Sequence, residues 1–106
     1  MEADPTVFVL GPGVGDSKGI FGTTKLIAQK FPLRVLDTPL CENTLTGLCI
    51  GAAVAGLRPV LTHARNDFLL LTMDQIVNNA AKWRYMSNGR CNVPMVIRSI
   101  IGMGWG

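Results

Sequence analysis

The sequence predicts an α/β chain: a mostly parallel sheet covered by helices. Two observations carry this reading. Short apolar runs rich in β-branched residues alternate with stretches of helical periodicity, the order that builds a parallel sheet with helices on it. The first of those runs is apolar almost throughout, as in a strand buried on both faces. At 106 residues the chain holds one domain at most, spanning residues 1–106.

The elements follow in order. Thr6 to Leu10 reads as a buried strand that ends at Gly11. From Gly11 to Gly22 the chain carries five glycines and one proline, so that stretch is a loop. Thr23 to Lys30 reads as a short helix ended by Pro32. Arg34 to Asp37 is a second short strand, Glu42 to Ala55 a helix, and Arg58 to Leu61 a third strand. Asp67 to Met86 has the longest helical pattern, with Phe68, Leu71, Met73, Ile76, Val77, Ala80, Ala81 and Tyr85 on one wide apolar face. Val93 to Ile100 is the last strand, and Gly102 to Gly106 is loop-like. A strand near each end, with no helix beyond it, leads us to expect a piece of something longer.

Composition narrows the function classes. Hydrophobic residues make up 48% and charged residues 16%, a balance expected of a segment covered by partner chains or a larger core. The net charge of +3 comes from scattered basic residues, so no nucleic-acid stripe exists. The longest uncharged apolar run, from Asn43 to Leu57, is too short and too rich in small residues to span a bilayer. Met1 to Pro5 has no signal-peptide character. Three cysteines without framework spacing fit a reducing compartment, the cytoplasm or an organelle matrix.

Local chemistry offers four candidates. The loop Gly11-Pro-Gly-Val-Gly-Asp16 lacks the sixth-position glycine of a dinucleotide site and reads as a flexible turn. Glu42 heads a helix, where a carboxylate offsets the helix dipole by roughly 0.3–1 kcal/mol; beside it, Cys41 reads as a packed small residue. Gly47, Gly51 and Ala55 line one helix face, either against the chain's own sheet or against another subunit. His63, the only histidine, reads as a hydrogen-bonded structural residue near a site rim, and a lone histidine forms no metal site.

The pieces in register resemble the beta subunit of the decarboxylating component of 2-oxo acid dehydrogenase complexes. The resemblance rests on Asp4-Pro-Thr-Val-Phe-Val-Leu-Gly11, Lys18-Gly-Ile-Phe-Gly-Thr-Thr24, Val35-Leu-Asp-Thr-Pro39, Leu40-Cys-Glu-Asn43 and Gly56-Leu-Arg-Pro59. Its most specific stretches are Met73-Asp-Gln-Ile-Val-Asn-Asn-Ala-Ala-Lys-Trp83 and Val93-Pro-Met-Val-Ile-Arg98.

The resemblance implies an incomplete transketolase-like pyrimidine-binding domain, with the family's C-terminal domain absent. It implies thiamine diphosphate as cofactor, with diphosphate and magnesium held by an alpha-type partner subunit, and a lipoyl acyltransferase as acyl acceptor. Glu42 matches the acid that hydrogen-bonds the aminopyrimidine and so promotes proton loss from the thiazolium carbon. Leu40 matches an apolar residue beside the ring, and Phe68 an aromatic stacked on it.

The chain departs from the family in places. Pro12 and Gly13 replace two acids, Ala64 replaces a longer side chain near the cofactor, and no histidine-serine-glutamine segment is present. The isolated chain is therefore expected to be inactive. The alternative reading is a catalytically inactive, self-associating α/β module.

Overall fold

The computed structural model describes residues 1–102. Its sheet has four strands: β1 (Val7–Gly11), β2 (Val35–Asp37), β3 (Arg58–His63) and β4 (Val96–Ser99). They lie in the order β2-β1-β3-β4, and every pairing is parallel. The predicted α/β class therefore holds. β3 runs two residues beyond the Leu61 end read from sequence, because Thr62 and His63 continue the ladder against Arg98 and Ser99.

Alternation along β1 and β3 sends their side chains to two cores. On one face Leu10 and Leu61 meet Leu45 and Cys49 of α3 (Glu42–Val54). On the other, Val9 and Val35 meet Val14 and Ile20, with Ile27 and Ala28 of α2 (Lys25–Lys30) packed against them. Full burial of one such leucine or valine stabilises the fold by roughly 1.5–3 kcal/mol. The amino-terminal segment is stitched to the sheet by Arg34. Its guanidinium donates to the carbonyls of Met1 at 3.0 Å, Asp4 at 3.2 Å and Val7 at 3.3 Å.

Two sequence expectations change. The Gly11–Gly22 loop is tethered rather than loose: Val14 is buried, and its carbonyl accepts a 3.0 Å bond from the Thr24 hydroxyl. Within it, the single turn α1 (Gly19–Gly22) holds Ile20 and Phe21 at φ of 38° and 56°, a left-handed conformation unfavourable for side-chain-bearing residues.

The stretch expected to be one helix from Asp67 to Met86 opens as a 3₁₀ turn (Asn66–Thr72) and then runs as one continuous helix over 73–86. The middle of that helix is π-helical (Gln75–Ala80) and its last part is α4 (Ala81–Met86). This arm packs mainly on α3, and its 3₁₀ turn also touches β3. Much of its apolar face, including Leu71, Val77, Tyr85 and Met86, is therefore exposed. Within this chain the small-residue stripe on α3 does not pack as one surface. A Cβ at Gly47 would meet Gln75 at an ordinary 3.5 Å, and one at Gly51 would meet open space.

Candidate functional site

In open parallel sheets, ligands bind at the carboxyl ends of the strands, where the strand order reverses. Here that switch point lies between β1 and β3, since the chain moves outward to β2 on one side and to β4 on the other. Gly11 ends β1 in close contact with β3. A Cβ there would lie 2.2 Å from the Thr62 carbonyl oxygen, so only glycine lets the strands converge. Beyond it the backbone turns under the control of Asp37 at the end of β2. Its Oδ1 accepts bonds from the amides of Gly13 at 2.6 Å and Thr38 at 3.0 Å. Asp16 closes the loop, its Oδ1 accepting from the Lys18 amide at 2.7 Å and the Ser17 hydroxyl at 3.2 Å. These bonds, the amide's first, hold the exposed carboxyl below the usual carboxylate range.

A cleft of about 490 Å³ opens at this switch point. Its apolar walls are Pro12, Ile20, Phe21, Leu40 and Ala64, and Asp16 and Lys18 stand on its rim. Of the residues singled out from sequence, Leu40 lines it, with 72% of its surface exposed. Ala64 also lines a second cleft of about 390 Å³, between the ends of β3 and β4. Ile20 and Phe21 were not anticipated as lining. The sequence signal was the Gly19/Gly22 pair, which permits the turn that carries them there.

Glu42 is the first residue of α3 and is half-buried. Its carboxylate has no hydrogen bond or ion pair among the described residues, although its charge acts on His63. It does not line the 490 Å³ cleft itself. Phe68, in the 3₁₀ turn, also stands off that cleft. It is half-buried, and the Arg65 guanidinium lies 5.8 Å from its ring centre. Leu40 thus sits in the cleft wall two residues before Glu42 at the head of α3, while Phe68 lies on the 3₁₀ turn that packs against α3.

Two local readings need correction. Cys41 is exposed, not packed, because it precedes the first turn of α3 and its thiol donates to the Thr44 hydroxyl at 3.0 Å. His63 is not hydrogen-bonded at Nε2. The residue is 2% exposed and that nitrogen has no partner among the described residues. An unmet buried group of this kind costs roughly 1–3 kcal/mol. Burial pushes the imidazole below its ordinary value, while the Glu42 charge pulls it the other way. Among the described residues no three His, Cys, Asp or Glu side chains converge on a metal position.

Comparison with known proteins places these features in context. The transketolase pyrimidine-binding domain family matches residues 1–105. The chain is 50% identical over 105 residues to the chloroplastic pyruvate dehydrogenase E1 component subunit beta-3 of Arabidopsis thaliana. That match covers 98% of this chain and 26% of the relative. It is 49% identical to the pyruvate dehydrogenase E1 component subunit beta of Porphyra purpurea, again over 98% of this chain and 32% of the relative. A match of 46% joins it to the mitochondrial subunit beta-1 of Arabidopsis thaliana. The chain therefore spans about a quarter to a third of the length of the curated relatives it matches.

Proposed function

The chain belongs to the transketolase pyrimidine-binding domain family, and from that premise we propose that it supplies the aminopyrimidine half of a thiamine diphosphate site in a 2-oxo acid dehydrogenase beta subunit. The observation that carries this is the half-buried carboxylate of Glu42, without a hydrogen bond or ion pair among the described residues, at the head of α3 and two residues after Leu40 in the wall of the switch-point cleft. The residues present fit one half of the cofactor. Apolar walls suit an aromatic ring, and an acid without an internal partner suits a ring nitrogen.

When bound, the thiamine group supplies the carbon nucleophile and the electron sink for loss of carbon dioxide from a 2-oxo acid. The chain's own task is to orient the ring and place a proton. Glu42 holds a proton on a carboxyl oxygen and offers it to the pyrimidine nitrogen, while Leu40 packs beside the ring. Phe68 stacks on the ring. An alpha-type subunit provides the diphosphate and magnesium contacts, and a lipoyl acyltransferase receives the acyl unit. Pyruvate is the first substrate to try, since the relatives carry that name. The compartment is the cytoplasm or an organelle matrix; two of those relatives are described as chloroplastic or mitochondrial. No helix among the described residues is long and apolar enough to cross a membrane.

Co-expression with an alpha-type subunit tests this. Calorimetric titration should show thiamine diphosphate binding that Glu42→Ala weakens, and decarboxylation that it lowers by about 10²-fold or more. The chain alone should turn over no 2-oxo acid. Turnover by the isolated chain, or undiminished binding in Glu42→Ala, would contradict the proposal. The exposed apolar arm favours a second reading, a self-associating module without cofactor. Light scattering that shows a stable homo-oligomer indifferent to thiamine diphosphate would select it.

A further inference from the structure

At the carboxyl end of β3, His63 is buried, lacks a partner at Nε2 among the described residues and takes no part in the cleft lining. Its position follows from the packing. Leu45 of α3 and Leu61 of β3 share one buried cluster. His63 lies two residues beyond Leu61 on the same face of its strand, a step of about 6–7 Å. Glu42 lies three residues before Leu45 on α3, close to one turn and about 4–5 Å along the axis. The helix runs antiparallel to the strands it covers, so both steps lead to the same end of the sheet.

Ser99, the register partner of His63, also has a hydroxyl oxygen that is buried and unpartnered. Two unmet polar atoms and a half-buried acid therefore gather at one place. Buried polar groups are normally satisfied, by protein or by water.

We propose that His63 is a positioning residue for Glu42: the buried imidazole and the carboxyl group share one proton, directly or through one water, and this sets the charge state of the acid. The proposal rests on the reading of Glu42 as the functional acid. A buried imidazolium is unfavourable alone and becomes tolerable beside a carboxylate. In the ionised pair Nε2–H donates to the carboxylate. When the proton sits on Glu42, the neutral imidazole accepts instead, so one proton serves two arrangements.

The other groups around β3 do not compete for this role. α3 adds Cys49, whose thiol burial pushes up to about 12, and the exposed Cys41. The 3₁₀ turn adds Asp67, which is exposed and lies 3.6 Å from the Arg65 guanidinium. On β4, Arg98 pairs in register with Thr62, so its side chain lies on the opposite face. β1 carries no titratable side chain.

With one histidine in the sequence, the imidazole C–H proton resonance reports His63 alone. The test titrates the full chain by NMR without added cofactor, in the natural sequence and in Glu42→Gln, Glu42→Asp and Asp67→Asn, with circular dichroism confirming the fold of each. Glu42→Gln should weaken proton binding at His63 threefold or more, lowering its midpoint by about half a pH unit. Asp67→Asn should leave the midpoint where it is. An unchanged midpoint in Glu42→Gln, or an equal fall in Asp67→Asn, overturns the proposal. Should Glu42→Gln not fold, Glu42→Asp decides. Its shorter side chain keeps the charge but breaks the contact, and a midpoint equal to that of the natural chain is the overturning result. No cofactor enters this titration, so its outcome is separate from whether Glu42 binds thiamine diphosphate.

Discussion

The wedge formed by β1, β3 and α3 and the arm from Asn66 to Met86 both carry many apolar side chains, and they use them differently. In the wedge, Leu61 and Cys49 are fully buried, and Leu10 and Leu45 nearly so. In the arm, Tyr85 is 90% exposed, and Leu70, Leu71, Val77 and Met86 stand mostly in solvent. The wedge buries the inner faces of its strands and helix against each other, although Leu48 on the outer side of α3 stays exposed. The arm rests mainly on α3, with its 3₁₀ turn also touching β3, and those side chains lie on its open side. An apolar helical pattern therefore marks a face meant to be covered without saying which chain covers it.

The contrast can be broken or sharpened by experiment. Leu61→Ala should lower unfolding free energy by about 2–5 kcal/mol in urea titrations, the range for a fully buried leucine. A loss under 1 kcal/mol would mean that the wedge is not the stability centre. Gly11→Ala forces a methyl group against the Thr62 carbonyl and should destabilise by about 1–3 kcal/mol or more, and it should also shrink the switch-point cleft.

Alkaline pH should weaken the wedge through Cys49. Burial raises this thiol from its ordinary 9.0 to about 12. Between those values the unfolded chain has lost the proton and the folded chain keeps it. Stability should then fall by at most about 1.4 kcal/mol per pH unit, a slope that Cys49→Val should flatten. His63 acts at the acid end. Its lowered value means that the unfolded chain binds the proton first, so stability declines as pH drops below 6.5. The smallest effect belongs to the arm. Tyr85→Ala should change stability by no more than about 0.5 kcal/mol, and the arm's amides should exchange with solvent faster than those of β1 and β3.

Much of this fold was legible in the residues. The Thr-Val-Phe-Val-Leu run, the Gly-rich break after it and the helix from Glu42 gave β1, its loop and α3 within a residue or two, because each is fixed by local pattern. The arm's 3₁₀ turn and π-helical stretch were not legible, since apolar periodicity alone does not separate α, 3₁₀ and π turns. The site was legible only in part. Leu40 and Glu42 mark the head of α3, but the cleft also draws on Ile20 and Phe21, which a left-handed turn delivers. The neighbourhood of His63 and Glu42 depends on helix–strand register, which is a property of packing and not of spacing along the chain.

That left-handed turn has an evolutionary consequence. Phe21 is 67% exposed and adopts a backbone shape that glycine would enter freely. Phe21→Gly would relieve that backbone strain but would also remove the interaction the residue makes, so the two effects oppose each other. Directed evolution scored only on thermal endurance should therefore gain little by replacing the aromatic. A screen that also demands ligand recognition should keep it.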